Sequence, residues 1–502
     1  MCTHRRPGPR SDGDVGAGVS HRVARRTSHS LRSRPTGVPL ESPGTSVLPA
    51  TSPGAPAMRV TVIGAGHVGL VTAACLAQVG HDVVVDDDDP SKLELIRDGR
   101  SWFFEPGLEE LLGEVIGAGR LRVAAGKAEA VHHGVVVFVC VGTPPRGDGS
   151  PNLAYVEAVA REVARNLPAG EFRLVCEKST VPVQTGERVA QVIAREAPPG
   201  AEWEVASNPE FLREGSAVAD TLHPDRVVVG TTSERGLAVL RELYAPILEG
   251  SQAPFLATDR ATAELIKHAS NAFLATKISF INSVARVCER SGADVELVAM
   301  GMGLDARIGA SFLRAGAGYG GSCFPKDVAA FAHRSRELGV EFGILNEVAK
   351  VNHEARHAVV GKVRDALWHL DGKRIGVLGL AFKPETDDLR DAPAVDVVAE
   401  LLADGAQVVA FDPVAGPRAA ELVPGLELAA KAVEVADGAH ALVLMTEWEE
   451  FRELDPADLR ARMAYPILVD ARNALDADAF LAEGFTVAGV GRPVRTPAGE
   501  GA

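Results

Sequence analysis

Short apolar runs rich in Val, Ile and Leu recur along the chain, each closed by Gly, Pro or a polar cluster. They are Arg59–Ile63, Asp82–Val85, Gly134–Val141, Leu174–Glu177, Gln407–Phe411, Ala441–Met445 and Ile467–Val469. Runs of this length read as buried strands, and the longer mixed stretches between them read as helices. Their alternation predicts an α/β architecture with parallel sheets. One stretch breaks the rhythm. Ala261 to Arg290 contains neither Pro nor Gly, which predicts a helix of about 45 Å at ~1.5 Å per residue. That is too long for one small core, so it should connect two domains and present a dimer surface.

Met58 to Gly80 reads strand, tight turn, helix, with Gly64-Ala-Gly66-His-Val68-Gly69 at the turn. Gly64 permits the backbone path, Gly66 admits a pyrophosphate, and Gly69 lets helix and strand pack. The helix N-terminus around Val68 offers free N–H groups to phosphates. The second strand runs into Asp86, Asp87, Asp88 and Asp89. Asp87, about 20 residues past the glycines, should bind the adenosine ribose and exclude a 2′-phosphate, which favours NAD over NADP. Asp86 occupies a place that is normally apolar, and Asp88 and Asp89 read as a solvated turn. Further strand ends place Thr143 and Thr180 at the carboxyl edge of the same sheet, where cofactors sit. Thr180 could hold a water or the nicotinamide; Ser179 reads equally well as a helix cap.

Composition narrows the class. A chain of 502 residues has room for two or three domains. The first 57 residues hold eight Arg and three acidic residues, a net +5 against −15 for the whole chain, so the remainder carries −20. An acidic body argues against nucleic-acid binding. No apolar run approaches the ~18 residues of a membrane span. Cys2, Cys75, Cys140, Cys176, Cys288 and Cys323 are scattered without a CxxC pair, which fits a reducing cytoplasm and neither a disulfide framework nor a metal site. The Arg-rich leader is expected to be a disordered or mis-assigned extension, with Met58 the functional start.

The densest chemistry lies in Gly318-Tyr-Gly320-Gly-Ser-Cys323-Phe-Pro-Lys326-Asp327. If a helix begins near Cys323, Lys326 and Asp327 share its face. A thiolate there can attack an aldehyde, and a carboxylate one turn on can activate water against the acyl-thioester. Lys267 and Asn271, four apart on the long helix, suit stabilisation of an oxyanion. Ser207 to Gly215 is a loop bearing Glu210 and Glu214. From Gly372 a second strand-turn-helix unit begins, but Lys383 replaces the third glycine, which suits a phosphate held by an ammonium. Thr446-Glu447-Trp448, at a strand end, reads as structural.

In chain order the stretches VIGAGHVGL, EPGLEELL, FVCVGTP, EKSTVPV, NPEFLREGSAVAD, ASNAFLATKISFIN, DARIG, GYGGSCFPKDV, VLGLAFKPETDDLRDAP and TEWEEF resemble the UDP-glucose/GDP-mannose dehydrogenase family from Met58 to about Pro493. The resemblance implies two Rossmann-like domains with parallel sheets joined by a long central helix. It implies an extension at 1–57, an NAD-binding domain at 58–255, a central helical and dimerisation domain at 256–355, a UDP-sugar-binding domain at 356–495 and a tail at 496–502. The implied activity is a four-electron oxidation of UDP-glucose at C6 to UDP-glucuronate, reducing two NAD.

By the same resemblance Cys323 is the nucleophile, Lys267 and Asn271 stabilise oxyanions, and Asp327 with Thr180 and Glu210 organises water. NAD would meet Gly64, Gly66, Val68, Asp87, Lys92, Thr143, Thr180, Glu214, Lys326 and Arg390. The sugar nucleotide would meet Glu210, Phe211, Leu212, Arg213, Lys267, Asn271, Phe312, Leu313, Arg314, Gly316, Gly320 and Lys383, with Arg307 reaching across a homodimer into the neighbouring site. Ala315 stands where the family often has Pro. Rival readings are the same chemistry on GDP-mannose or a UDP-N-acetylhexosamine, a non-catalytic nucleotide-sugar sensor, and a one-step dehydrogenase yielding one NADH.

Overall fold

The computed structural model describes residues 57–497. The expectation for the N-terminal extension, and for the tail from 498, lies outside those residues. Two sheets organise the rest. The first comprises β1 (Arg59–Ile63), β2 (Asp82–Asp86), β3 (Leu121–Val123), β4 (Val136–Val139), β5 (Phe172–Glu177), β6 (Glu202–Ser207), β7 (Val227–Gly230) and β8 (Phe255–Thr258), in the order β3-β2-β1-β4-β5-β6-β7-β8. Its first six strands have the Rossmann order, with the switch point between β1 and β4. All neighbours are parallel except β6 and β7, which meet antiparallel at Ser207 and Gly230.

The second sheet comprises β9 (Arg374–Leu378), β10 (Gln407–Phe411), β11 (Glu427–Leu428), β12 (Ala441–Leu444), β13 (Ile467–Asp470) and β14 (Thr486–Gly489), ordered β11-β10-β9-β12-β13-β14 and wholly parallel. Val136–Val139 and Ala441–Leu444 are buried at every position. Helices cover both faces of such a sheet, which explains the uninterrupted apolar runs. The two-domain α/β expectation is therefore met, with one antiparallel pairing added.

The predicted long helix spans Arg260–Ser291. Asp259 caps its start by accepting from Thr262 N at 2.9 Å, and Gly292, left-handed at φ 78°, ends it. One face, including Lys267, Asn271, Ala275 and Ile281, is buried. Helices Phe324–Glu337 and Gly343–Leu367 pack against it. The latter runs straight through residue 355, the expected boundary between the central and UDP-sugar-binding domains. Its apolar spacing serves the central unit at Val348 and the second sheet at Val359, Val360 and Val363.

Candidate active site

Cys323 is the N-cap of helix Phe324–Glu337, with Pro325 in the first turn, where a missing N–H costs nothing. The glycine run leading to it threads between the two halves of the molecule. A Cβ on Gly320 would stand 2.3 Å from the Asp391 carbonyl, so backbone passes there only without a side chain. The run is also pinned from outside. Asn352 pairs with both backbone groups of Tyr319, at 2.7 and 2.9 Å, and Arg356 Nη2 donates to the same carbonyl at 3.0 Å. Arg472 donates to the carbonyls of Gly318 (3.3 Å) and Phe382 (3.2 Å), tying the run to the second sheet.

Around the thiol, charges interlock. Lys326 Nζ donates to Asp327 Oδ1 at 2.5 Å and Asn271 Nδ2 to Asp327 Oδ2 at 2.6 Å. Lys267 Nζ lies 3.2 Å from Glu210 Oε1 and 5.2 Å from the centre of the Phe211 ring. Ser322 Oγ donates to Glu214 Oε1 at 2.7 Å and lies 3.4 Å from Cys323 Sγ. Burial pushes the Cys323 thiol up to about 11, with Lys326 pulling it down and Asp327 pushing it up. Burial alone would raise Asp327 as well, but Lys326, His268 and Lys267 outweigh it and hold the carboxyl below the usual range. The arrangement is a protonated thiol beside an ionised carboxylate, with two ammonium groups in reach.

The carboxyl edge of the first sheet carries a dinucleotide cradle. Gly64 has φ +100°, and a Cβ there would meet the Cys140 carbonyl at 2.7 Å. A Cβ on Gly66 would meet nothing within 4 Å, so the space over the helix N-terminus at His67 is open to a pyrophosphate. No side chain caps that terminus, which leaves its N–H groups free for phosphate oxygens. Asp87, directly after β2, accepts from Ala65 N at 2.6 Å and lies 3.5 Å from Lys92 Nζ. The donor set and the open turn fit NAD.

Three family models match the chain: the NAD binding domain of the UDP-glucose/GDP-mannose dehydrogenase family over 58–248, its central domain over 261–354 and its UDP binding domain over 376–477. The chain belongs to the UDP-glucose/GDP-mannose dehydrogenase family. The UDP-glucose 6-dehydrogenase of Rhizobium meliloti is 47% identical over 440 residues, spanning 87% of this chain and 100% of that protein. A UDP-glucose dehydrogenase structure from the hyperthermophilic archaeon Pyrobaculum islandicum superposes with TM-score 0.82 at 41% identity, covering 88% of this chain and 99% of that one. The UDP-D-ManNAc dehydrogenase of Pyrococcus horikoshii gives 0.76 at 27% identity, covering 87% and 99%.

In this dehydrogenase some of the remaining candidates converge and others do not. Arg390 crosses from the second domain to Glu214 (3.5 Å) while held by Asp388 (2.7 Å), and Gly321 N donates to the Arg390 carbonyl at 2.8 Å. Burial lowers Lys383 from its ordinary value, opposed by the charges of Glu214 and Glu105. Thr143 Oγ1 donates to the Thr180 carbonyl at 3.0 Å, and Leu212 N to Glu210 Oε2 at 2.8 Å. Gly316 N donates to Asn282 Oδ1 at 2.9 Å, Leu313 is buried, and Phe312 sits at φ 64°. By contrast Arg213 turns outward to Asp220 (2.6 Å), Arg307 to Asp305 (2.6 Å), and Arg314 is largely exposed.

Asp86 departs from the normal apolar residue at the end of β2. It is buried, with Lys127 Nζ at 2.8 Å as its counter-charge, and Asp89 caps the following helix through Ser91 N. Four residues near the site escaped the sequence reading: Arg472, Glu105, His268 and Glu177. Glu105 accepts from Gly215 N and Ala217 N, both at 2.7 Å, fixing the Glu214 loop. His268, one position from Lys267, donates from Nε2 to the Val181 carbonyl at 2.8 Å, so it clamps the Thr180 loop to the long helix. Only the tertiary fold brings these residues to the site. The one local signal was Glu105, inside the EPGLEELL motif.

Proposed function

We propose that this dehydrogenase oxidises the C6 hydroxymethyl of UDP-glucose to the carboxylate of UDP-glucuronate, with two NAD reduced per turnover. The observation that carries the reading is the helix-capping Cys323, with Lys326, Asp327 and Asn271 locked around it and Lys267 held on Glu210. The choice of UDP-glucose rests on relatives of that name at 37–47% identity, against 27% for the N-acetylmannosamine enzyme.

NAD, when bound against Gly64, Gly66 and Val68 with its ribose at Asp87, supplies the acceptor for each hydride. Lys92, Thr143, Glu214, Lys326 and Arg390 would complete its surroundings. Lys267 and Asn271 stabilise the C6 oxyanion as the hydroxyl loses its proton and C6 its first hydride. Cys323 sulfur then bonds to the aldehyde carbon, and its proton ends on the new hydroxyl. Loss of a second hydride and that hydroxyl proton leaves a thioester. Asp327, with Thr180 and Glu210, orients the water that breaks the C–S bond and returns a proton to sulfur. Each turnover thus releases two hydrides and, with the acid ionised, three protons.

Lys383 and the Phe312–Gly320 segment hold the nucleotide diphosphate and sugar. A second copy completes the enzyme: Phe273, Phe280 and Val287, seven residues apart on the long helix, are exposed on one face. Among the described residues no helix is long and apolar enough to cross a membrane, and five free thiols suit a reducing cytoplasm. Counting NADH against a panel of sugar nucleotides tests the reading. Two NADH per UDP-glucose are expected; one NADH, or preference for GDP-mannose or a UDP-N-acetylhexosamine, overturns it.

A further inference from the structure

Beside Thr180 and Lys267 lies a small cavity whose wall also includes Glu177, Ser207 and Glu264. It has room for about one water molecule. Two buried carboxylates face it. Glu177, the last residue of β5, is 2% exposed; its Oε1 accepts from Ser179 N at 3.1 Å and its Oε2 has no partner. Glu264, one turn before Lys267 on the long helix, accepts from Gln184 N (2.7 Å), Gly186 N (2.8 Å) and Ser207 Oγ (2.9 Å). Glu187 stands outward of it, part-exposed and 3.2 Å from Arg260. Carboxylates therefore run from the site toward the surface.

Leaving an acceptor oxygen unpaired at this depth costs stability, about 1–3 kcal/mol for a neutral group and more for a charged one. A water bonded to Glu177 Oε2 and to Lys267 Nζ would satisfy it, and would also connect it to the chemistry. We propose that this chamber is a proton relay: protons freed at C6 pass by way of Lys267 and one water to Glu177, then through Glu264 to Glu187 and solvent. The relay rests on the function proposed above, which releases three protons per turnover. Glu177 is a positioning and relay residue, since it acts through Lys267 and need not touch substrate. Each transfer moves one proton onto a carboxylate and off again, so nothing else is consumed.

The electrostatics agree. Burial, then the charge of Glu264, pushes Glu177 up to about 8, with Ser179 opposing; burial and Glu187 push Glu264 up to about 7. The other ionisable groups around the chamber are Lys267 and His268 from the long helix, Glu210 from the loop after β6, and Cys140, Cys176 and Lys178 from the strand side. Near neutral pH the two carboxylates share roughly one proton, the condition for passing it in either direction.

Log kcat against pH, with UDP-glucose and NAD saturating, tests this. The wild type should rise through an ionisation between pH 7 and 8. Glu177→Gln keeps the shape and the Ser179 bond; it should lower kcat at least tenfold at pH 8.5, leave both KM values within twofold, and erase that ionisation. Glu177→Asp should restore it. Glu264→Gln removes the charge that raises Glu177 and should move the ionisation to lower pH. A Glu177→Gln profile superimposable on the wild type, or a uniform loss with the ionisation unmoved, would make the chamber merely structural. Two NADH per UDP-glucose from the wild type tests the overall reaction separately.

Discussion

Asn271 donates to Asp327 at 2.6 Å, joining the long helix to the first turn of the helix that Cys323 caps. Two elements far apart in sequence thus share one buried carboxylate, and its second oxygen is held by Lys326. Asp327→Asn keeps the volume but leaves the half-buried Lys326 ammonium without its carboxylate. Breaking a buried pair in this way costs about 3–5 kcal/mol. The folded-state carboxyl lies below its unfolded value of ~3.9, so its contribution is present above that pH and is lost as pH falls through the folded value. Melting curves from pH 3 to 7 should show an acid limb in the wild type that Asp327→Asn lacks. Turnover in the variant should fall by ~10²-fold or more through loss of the water-orienting group; a variant of wild-type stability and rate would refute the pairing.

Cys323 should be a poor nucleophile at neutral pH in the free enzyme. With the thiol pushed up to about 11, its thiolate is scarce at pH 7 and grows about tenfold per pH unit below that value. Iodoacetamide labelling followed by mass spectrometry of the Cys323 peptide should therefore accelerate steadily from pH 7 to 10 without a plateau. Cys323→Ser should abolish net acid formation, since an alkoxide ester lacks the leaving ability of a thioester. A labelling plateau near pH 8 would mean that Lys326 and the helix terminus outweigh burial.

Much of this arrangement was legible because the information is local. Cys323, Lys326 and Asp327 fall within one turn, Lys267 and Asn271 within another, and Gly64 and Gly66 within a single tight turn whose backbone demands them. The strands were legible because sheets buried on both faces must be apolar throughout. The antiparallel meeting of β6 and β7 was not, since it rests on one pairing, Ser207 with Gly230, and no turn residue announces it. Glu177, Arg472 and His268 were missed for a similar reason. Glu177 reads as an ordinary strand end until β5 is set beside the long helix, and Arg472 as a surface charge until β13 delivers it to Gly318.

Asp87 binds its own loop as well as any cofactor, since Ala65 N and Asp89 N both donate to it. Asp87→Ser should raise the KM for NAD at least tenfold while leaving kcat nearly unchanged, because the ribose is remote from the reacting carbon. Removing the carboxylate also removes the repulsion against a 2′-phosphate, so NADP should gain measurable activity. Steady-state kinetics with both cofactors decide it; an unchanged NAD KM would place the ribose elsewhere.

The exposed face of the long helix yields the last prediction. Phe273 is 65% exposed, Phe280 51% and Val287 64%, a row two turns apart that a lone molecule would leave in water. Fully burying such side chains stabilises by about 1.5–3 kcal/mol each, and a two-fold axis counts each twice. Phe273→Glu with Phe280→Glu should therefore give monomers in sedimentation velocity at micromolar concentration. Arg307 is 89% exposed and, among the described residues, paired only with Asp305, two residues away. If it serves the neighbouring subunit's sugar nucleotide, Arg307→Ala should leave the dimer intact and raise the KM for UDP-glucose severalfold with the NAD KM unmoved. The double Phe variant should show that same defect. Monomers that retain the wild-type KM for UDP-glucose would confine the site to one chain.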